Sequence, residues 1–217
     1  MNYLSVGIFS EGTTDDRTLP DIVRRLLDDL IAQDQVIPLE SYISPIEAPR
    51  LGSSVDQYAA FLDTHAQDWS LVLLHRDADH RNTSQIRARL FEPLEARSGG
   101  ERWVPIIPVR NLEAWLLCDR GAIARAVGVE EFGVSWPEEL TGGGSVEGLP
   151  NTKGLLDGCI RACLGGRRGR RGSGAGAYMS QIAEEIALPV LRGLSSFREF
   201  EEDFGQGLRR LGWPFKG

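Results

Sequence analysis

Two carboxylates one residue apart, in Asp77-Ala78-Asp79, follow directly on the apolar run Trp69 to Leu74. Side chains of a strand alternate between its two faces, but where the chain turns at a strand end both carboxylates can approach one ion. Mg²⁺ is a hard cation, held by one or two carboxylates together with water and phosphate oxygens. Acidic pairs are also common at turns, so this pair draws its meaning from the apolar strand that leads into it. A third acid, Glu11, stands in Glu11-Gly12-Thr13-Thr14-Asp15, after the apolar run Tyr3 to Phe9. Asp15 and Asp16 suit the first turn of a helix, where carboxylates offset the helix dipole. Glu11 precedes the glycine, at the strand end, and the dipole does not account for it. Gly12 permits the sharp bend there. A fourth acid, Glu113, comes just after the apolar segment Val104 to Val109.

The elements that must position these acids are legible from periodicity. Leu19, Ile22, Val23, Leu26, Leu27, Leu30 and Ile31 form a helical stripe. Pro20 fits the first turn of such a helix, which makes Thr18 the expected cap. A second strand is expected within Val36 to Ser44, with Pro38 pointing to an edge position or an early strand residue. Ser54 to Gln67 and Ser84 to Arg97 read as helices, and Val104 to Val109 as a fourth strand. Alternating strands and helices imply an α/β fold: a mainly parallel four-stranded sheet with helices on both faces. Ligands of such sheets bind beyond the carboxyl ends of the strands, and all four acids lie there. Residues 1–125 read as this core. Residues 126–217 read as a loop-rich and helical C-terminal extension packed on it, with helices over Thr152 to Leu164, Tyr178 to Leu191 and Ser196 to Leu211.

A strand ending in Glu11-Gly12, a helix, and a later strand ending in Asp77-x-Asp79 resemble the TOPRIM domain of topoisomerases, primases and related nucleases. The run Ile106-Ile107-Pro108-Val109-Arg110-Asn111-Leu112-Glu113-Ala114-Trp115 is similar to the third acidic motif of the OLD-family nucleases. It also resembles a small bacterial TOPRIM-like family of unknown function, linked to phage defence beside an ATPase. The resemblance covers about residues 3–120. It implies that Asp77 and Asp79 hold Mg²⁺ or Mn²⁺, that Glu11 is a metal ligand or general base, and that Glu113 completes a second metal position. It gives Asp15 a supporting role and makes Lys153 the candidate for a late catalytic lysine, although a solvated lysine at a helix start is the somewhat stronger reading of Lys153. The activity it implies is metal-dependent hydrolysis of a nucleic-acid phosphodiester, DNA or RNA, with a possible partner ATPase. The alternative is a non-catalytic, regulatory TOPRIM-like subunit that binds nucleotide or a partner protein. A phosphatase or receiver-like protein would leave Glu113 unexplained.

The rest of the chain bounds these readings. A formal charge of −7 argues against a protein that coats nucleic acid non-specifically, but not against a metal site, where acids gather. Arg167, Arg168, Arg170 and Arg171, in a glycine-rich loop, are candidates for phosphate contacts or simply a solubilising surface. Arg76 and Arg81, which flank the acidic pair with His75 and His80, either position phosphate or form a polar rim. Three cysteines without a paired CxxC pattern fit core packing and a reducing cytoplasm. No apolar run approaches the roughly 20 residues that span a bilayer, so a cytoplasmic protein with no membrane partner is expected. Trp103 and Trp115 read as core residues.

Overall fold

The computed structural model describes residues 3–31, 40–46, 54–65, 68–79, 82–97, 99–131, 134–140, 145–165 and 175–213. Four strands, β1 (Tyr3–Phe9), β2 (Glu40–Pro45), β3 (Leu71–His75) and β4 (Trp103–Ile106), form one sheet in the order β2-β1-β3-β4. All pairings are parallel, with Val6 opposite Leu71 and Val72 opposite Trp103. Helix α1 (Thr13–Leu30) connects β1 to β2. Helix α2 (Val55–His65) carries the chain back past β1 to β3. A helical run leads from β3 toward β4: α3 (Thr83–Ile86), a π-helical stretch (Arg87–Phe91) and α4 (Glu92–Glu95).

Right-handed crossovers require α1 to lie on one face of such a sheet and α2 to α4 on the other, and the two apolar clusters show this division. Leu4, Val6, Ile8, Leu71, Leu73, Val104 and Ile106 face α1 and the C-terminal helices. Phe9, Val72, Leu74 and Trp103 face Tyr58, Ile86, Leu90 and Phe91. Strand alternation divides the residues this way. At Gly7 the alternation meets a tight spot: a Cβ there would stand 2.5 Å from Ile46 and 2.7 Å from Trp69, so only glycine fits.

The C-terminal half supplies α5 (Leu112–Leu116), α6 (Arg120–Val127), α7 (Thr152–Leu164), α8 (Met179–Glu185), α9 (Leu188–Leu191) and α10 (Ser195–Arg210). These helices pack into the same cluster as α1 and one face of the sheet. Trp115 donates its indole N–H to Ser196 Oγ at 2.8 Å and packs against Phe197 and Phe200. Glu147 holds the start of α10: its buried carboxylate accepts from the backbone and hydroxyl of both Ser195 and Ser196. Burial alone would raise its pKa, but those hydrogen bonds outweigh it and hold the group below its ordinary value. The cysteines are free, with Cys159 and Cys163 in the core. No helix among the described residues is long and apolar enough to cross a membrane.

Two local expectations need correction. Helix α1 begins at Thr13, not after Thr18: the Gly12 carbonyl receives the Asp15 and Asp16 amides, and Pro20 sits inside the helix. Thr18 bonds back to the Thr14 carbonyl at 2.8 Å instead of capping. The segment expected as one helix over Tyr178 to Leu191 is two, because Ile186 and Ala187 are extended and Pro189 starts a new turn. Arg25 binds the Ala183 and Ile186 carbonyls at this break, and Asp119 accepts the Ala187 amide. Strand β2 is an edge strand, and its start at Glu40 falls within the expected Val36 to Ser44. Pro38 lies outside the described residues.

Candidate functional site

The strand order reverses between β1 and β3. From β1 the chain turns outward to β2, and β3 returns on the other side of β1. In parallel α/β sheets, the crevice at such a switch point is where ligands bind. Glu11 leaves β1 and Asp77 leaves β3 at this crevice. The Glu11 Oε2 accepts the Asp77 backbone N–H at 2.9 Å, and its Oε1 pairs with Arg76 Nη1 at 2.6 Å. Arg76 also donates to the Tyr58 hydroxyl at 3.2 Å.

Beneath these groups lies His75, the last residue of β3 and fully buried. Its Nε2 stands 3.2 Å from Asp77 Oδ1, and its Nδ1 stands 3.7 Å from Asp15 Oδ2, on the first turn of α1. Neither approach is aligned as a hydrogen bond. Both ring nitrogens and Asp77 Oδ1 are therefore buried without a hydrogen-bond partner. Burial disfavours the charged ring, but Asp77, then Asp15 and Glu11, outweigh it and raise the His75 pKa above its ordinary value. Asp15 is pushed up to about 6, first by burial and then by Asp77, Glu113 and Glu11, against the opposing pull of His75. One carboxyl thus senses the other three acids.

Glu113 lies on the first turn of α5, largely buried. The Asn111 side chain caps that helix by accepting the Ala114 amide, and it also accepts the Thr152 hydroxyl at 2.7 Å. This tie brings the start of α7 to α5, and Lys153 Nζ reaches Glu113 Oε1 at 3.7 Å. Lys153 is otherwise 78% exposed. Beyond β3 and β4 the chain keeps pairing: the amides of Ala78 and Asp79 donate to the carbonyls of Pro108 and Arg110. Asp79 adopts a left-handed backbone, φ 49°. It lines an open cleft of about 150 Å³ with Arg110, Asn111, Asn151, Thr152 and Lys153.

The sequence profile of one family, described as a domain of unknown function (DUF4276), matches residues 10–204. The chain belongs to the DUF4276 family. No curated protein and no solved structure matches it. The match begins beside Glu11 and ends within α10, so the DUF4276 domain includes both the acidic cluster and the C-terminal helices that pack under it.

Within this DUF4276 domain, Glu11, Asp15, Asp77 and Glu113 form one electrostatic group, and Asp79 and Lys153 share the neighbouring cleft. Arg76, expected to position phosphate or to form a polar rim, is turned to Glu11 and Tyr58. Arg81 and Arg167, Arg168, Arg170 and Arg171 lie outside the described residues. The fit to a divalent cation is partial. The buried Asp77 oxygen without a partner and the crowding of carboxylates on Asp15 both mark a place short of positive charge. Among the described residues, however, no three acid, imidazole or thiol groups converge in the manner of a closed metal centre. Mg²⁺ does not need such a cage, since water and substrate oxygens fill its shell. From sequence, His75 is expected to position phosphate or to form a polar rim, and neither Asn111 nor Thr152 stands out; the structure buries His75 instead. A histidine ending an apolar strand was the available signal for His75. The link from Asn111 to Thr152 joins residues 41 apart and left no local signal.

Proposed function

We propose that this DUF4276 chain is a TOPRIM-like, Mg²⁺- or Mn²⁺-dependent nuclease that hydrolyses phosphodiester bonds of DNA or RNA, as the effector beside a partner ATPase. The observation that carries this reading is the gathering of Glu11, Asp15, Asp77 and Glu113 at the strand switch, felt at Asp15 as a carboxyl pKa of about 6. Asp77, with Glu11, Asp79 and Glu113 as the remaining candidate ligands, would hold the cation. When bound, the cation supplies Lewis-acid stabilisation of an in-line displacement at phosphorus. Asp15, 3.7 Å from His75 on the first turn of α1, has a supporting role beside these ligands. Lys153, beside Glu113, is placed to offset charge that develops on a phosphate oxygen.

The test is a cleavage assay on DNA and RNA with Mg²⁺ and Mn²⁺, with and without the ATPase, comparing wild type with Asp77→Asn. A loss of at least about 100-fold is expected, in line with removing a group that acts in the transition state. Cleavage that survives the substitution overturns the site assignment.

A specific observation favours the regulatory reading as the second choice. Arg76 already neutralises Glu11 at 2.6 Å, which suits a subunit that binds nucleotide or a partner protein without cutting. That reading predicts cation binding by calorimetry and no cleavage with any partner or metal.

A further inference from the structure

His75 ends β3 in the row begun by Leu71 and Leu73, on the face of the sheet that meets α1. The two leucines fill that row with hydrocarbon, and the ring alone brings polar atoms into it. Its backbone is fixed by the pairing of β3 with β4, where His75 stands opposite Ile106. Leaving a buried polar atom unpaired is costly, and three such atoms lie together here: both ring nitrogens and Asp77 Oδ1. Their places are complementary. Nε2 stands 3.2 Å from Asp77 Oδ1, within the range of an N–H···O bond, and only alignment is lacking. Nδ1 stands 3.7 Å from Asp15 Oδ2, beyond that range. The terminal torsion of an aspartate is soft, so the Asp77 carboxylate can turn into line while Glu11 keeps hold of the Asp77 amide. The Asp77 side chain as a whole is 22% exposed although its Oδ1 is buried.

We infer that His75 is a positioning residue for Asp77: its Nε2–H donates to Oδ1 and so leaves Oδ2 as the oxygen presented to the crevice at the strand switch. The inference rests on the proposed nuclease reading only for what Asp77 holds there, a divalent cation. A group that orients a metal-ligating side chain from behind sets its geometry, and losing such a group costs about 10- to 100-fold in metal affinity. The role needs no charge on the ring. A proton on Nε2 is present in the imidazolium and in one neutral tautomer, and the hydrogen bonds of the ring select the tautomer. A ring that only filled space beneath the strands would need neither nitrogen in a particular place.

Glutamine carries its amide nitrogen close to where histidine has Nε2, and asparagine close to where it has Nδ1, so two carboxamide variants test the atom. In calorimetric titration with Mn²⁺, His75→Asn is expected to weaken binding about tenfold or more, and His75→Gln only about threefold. Thermal melting at the same pH shows that each variant is folded. A loss in His75→Gln as large as that in His75→Asn, or no loss in either, overturns the inference. A second readout needs no cation. In protein labelled with a nitrogen isotope at histidine, NMR at a single pH identifies the His75 ring by its disappearance in His75→Gln. Its Nε2 is expected to carry a proton whose resonance moves in Asp77→Ala. An unprotonated Nε2, or one indifferent to Asp77→Ala, sinks the inference whichever carboxamide variant folds. If wild type takes up no Mn²⁺ but the Nε2 proton answers to Asp77, the positioning of Asp77 stands and the cation-dependent reading falls.

Discussion

Glu11 and Asp77 are joined across the strand switch: the side chain of the first accepts the backbone N–H of the second at 2.9 Å. Residues at the ends of two different strands are thereby held in one register, and Arg76, bound to the other Glu11 oxygen, completes the clasp. The clasp leaves the Asp77 side chain pointing back toward His75, with one oxygen buried and without a hydrogen-bond partner.

Removal of the clasp has a measurable cost. Glu11→Ala loses both the amide hydrogen bond and the Arg76 pair, and is expected to destabilise the fold by about 1–2 kcal/mol. Glu11→Gln retains an acceptor for the Asp77 amide, so its loss is expected to be smaller. Urea unfolding of the two variants checks the order. Equal losses would show that the Asp77 amide bond contributes nothing.

Asp15 sets a pH dependence. Its folded pKa, about 6, lies above the ordinary 3.8. Between those values the folded state holds a proton that the unfolded state has lost, so stability falls as pH rises through this window and levels off above it. The penalty at neutral pH is on the order of 3 kcal/mol. His75 acts in the same sense at higher pH: its raised pKa stabilises the fold below 6.5, and that contribution is lost as pH rises past the folded value. Asp15→Asn is therefore expected to stabilise the protein above about pH 6, by somewhat less than the full penalty because the His75 attraction goes too. The gain disappears below about pH 4. Thermal melts across pH 3.5 to 8 measure it.

A divalent cation at the acidic cluster would relieve the same repulsion. At a concentration about 100 times its dissociation constant, Mn²⁺ or Mg²⁺ is expected to stabilise the folded chain by about 2.7 kcal/mol. The melting temperature should rise accordingly, with little or no rise for Asp77→Asn. A rise of equal size in the variant would place the cation elsewhere.

The bridge from Asn111 to Thr152 ties α5 to α7, and through it Lys153 to Glu113. Thr152→Val removes the buried hydroxyl and is expected to cost about 1 kcal/mol. Asn111→Ala removes the helix cap as well and is expected to cost about 1–2 kcal/mol more. Both should lower any cleavage activity by more than they lower stability at the assay temperature, because both loosen the placement of Lys153. Unfolding curves paired with the nuclease assay separate the two effects.

What the amino-acid sequence determined by itself is the set of elements whose signal is local. Apolar runs such as Leu71 to Leu74, and the helical stripe from Leu19 to Leu30, are encoded within a few turns of chain. Because parallel strands place their carboxyl ends on one edge, Glu11, Asp77 and Glu113 were legible as neighbours before any coordinates. The break at Ile186 and Ala187 was not legible, since an arginine on α1 and an aspartate before α6 hold the extended segment. Tertiary packing alone decided that His75 is buried between Asp15 and Asp77, that Arg76 turns to Glu11, and that Asp79 lines a cleft with Lys153. The contacts of His75 with Asp15 and of Glu11 with Arg76 and Asp77 join residues 60 or more apart, and the course of the chain at Asp79 depends on a single left-handed residue. Periodicity registers which face a residue takes within its own element. It does not register which group from a distant segment fills the space opposite.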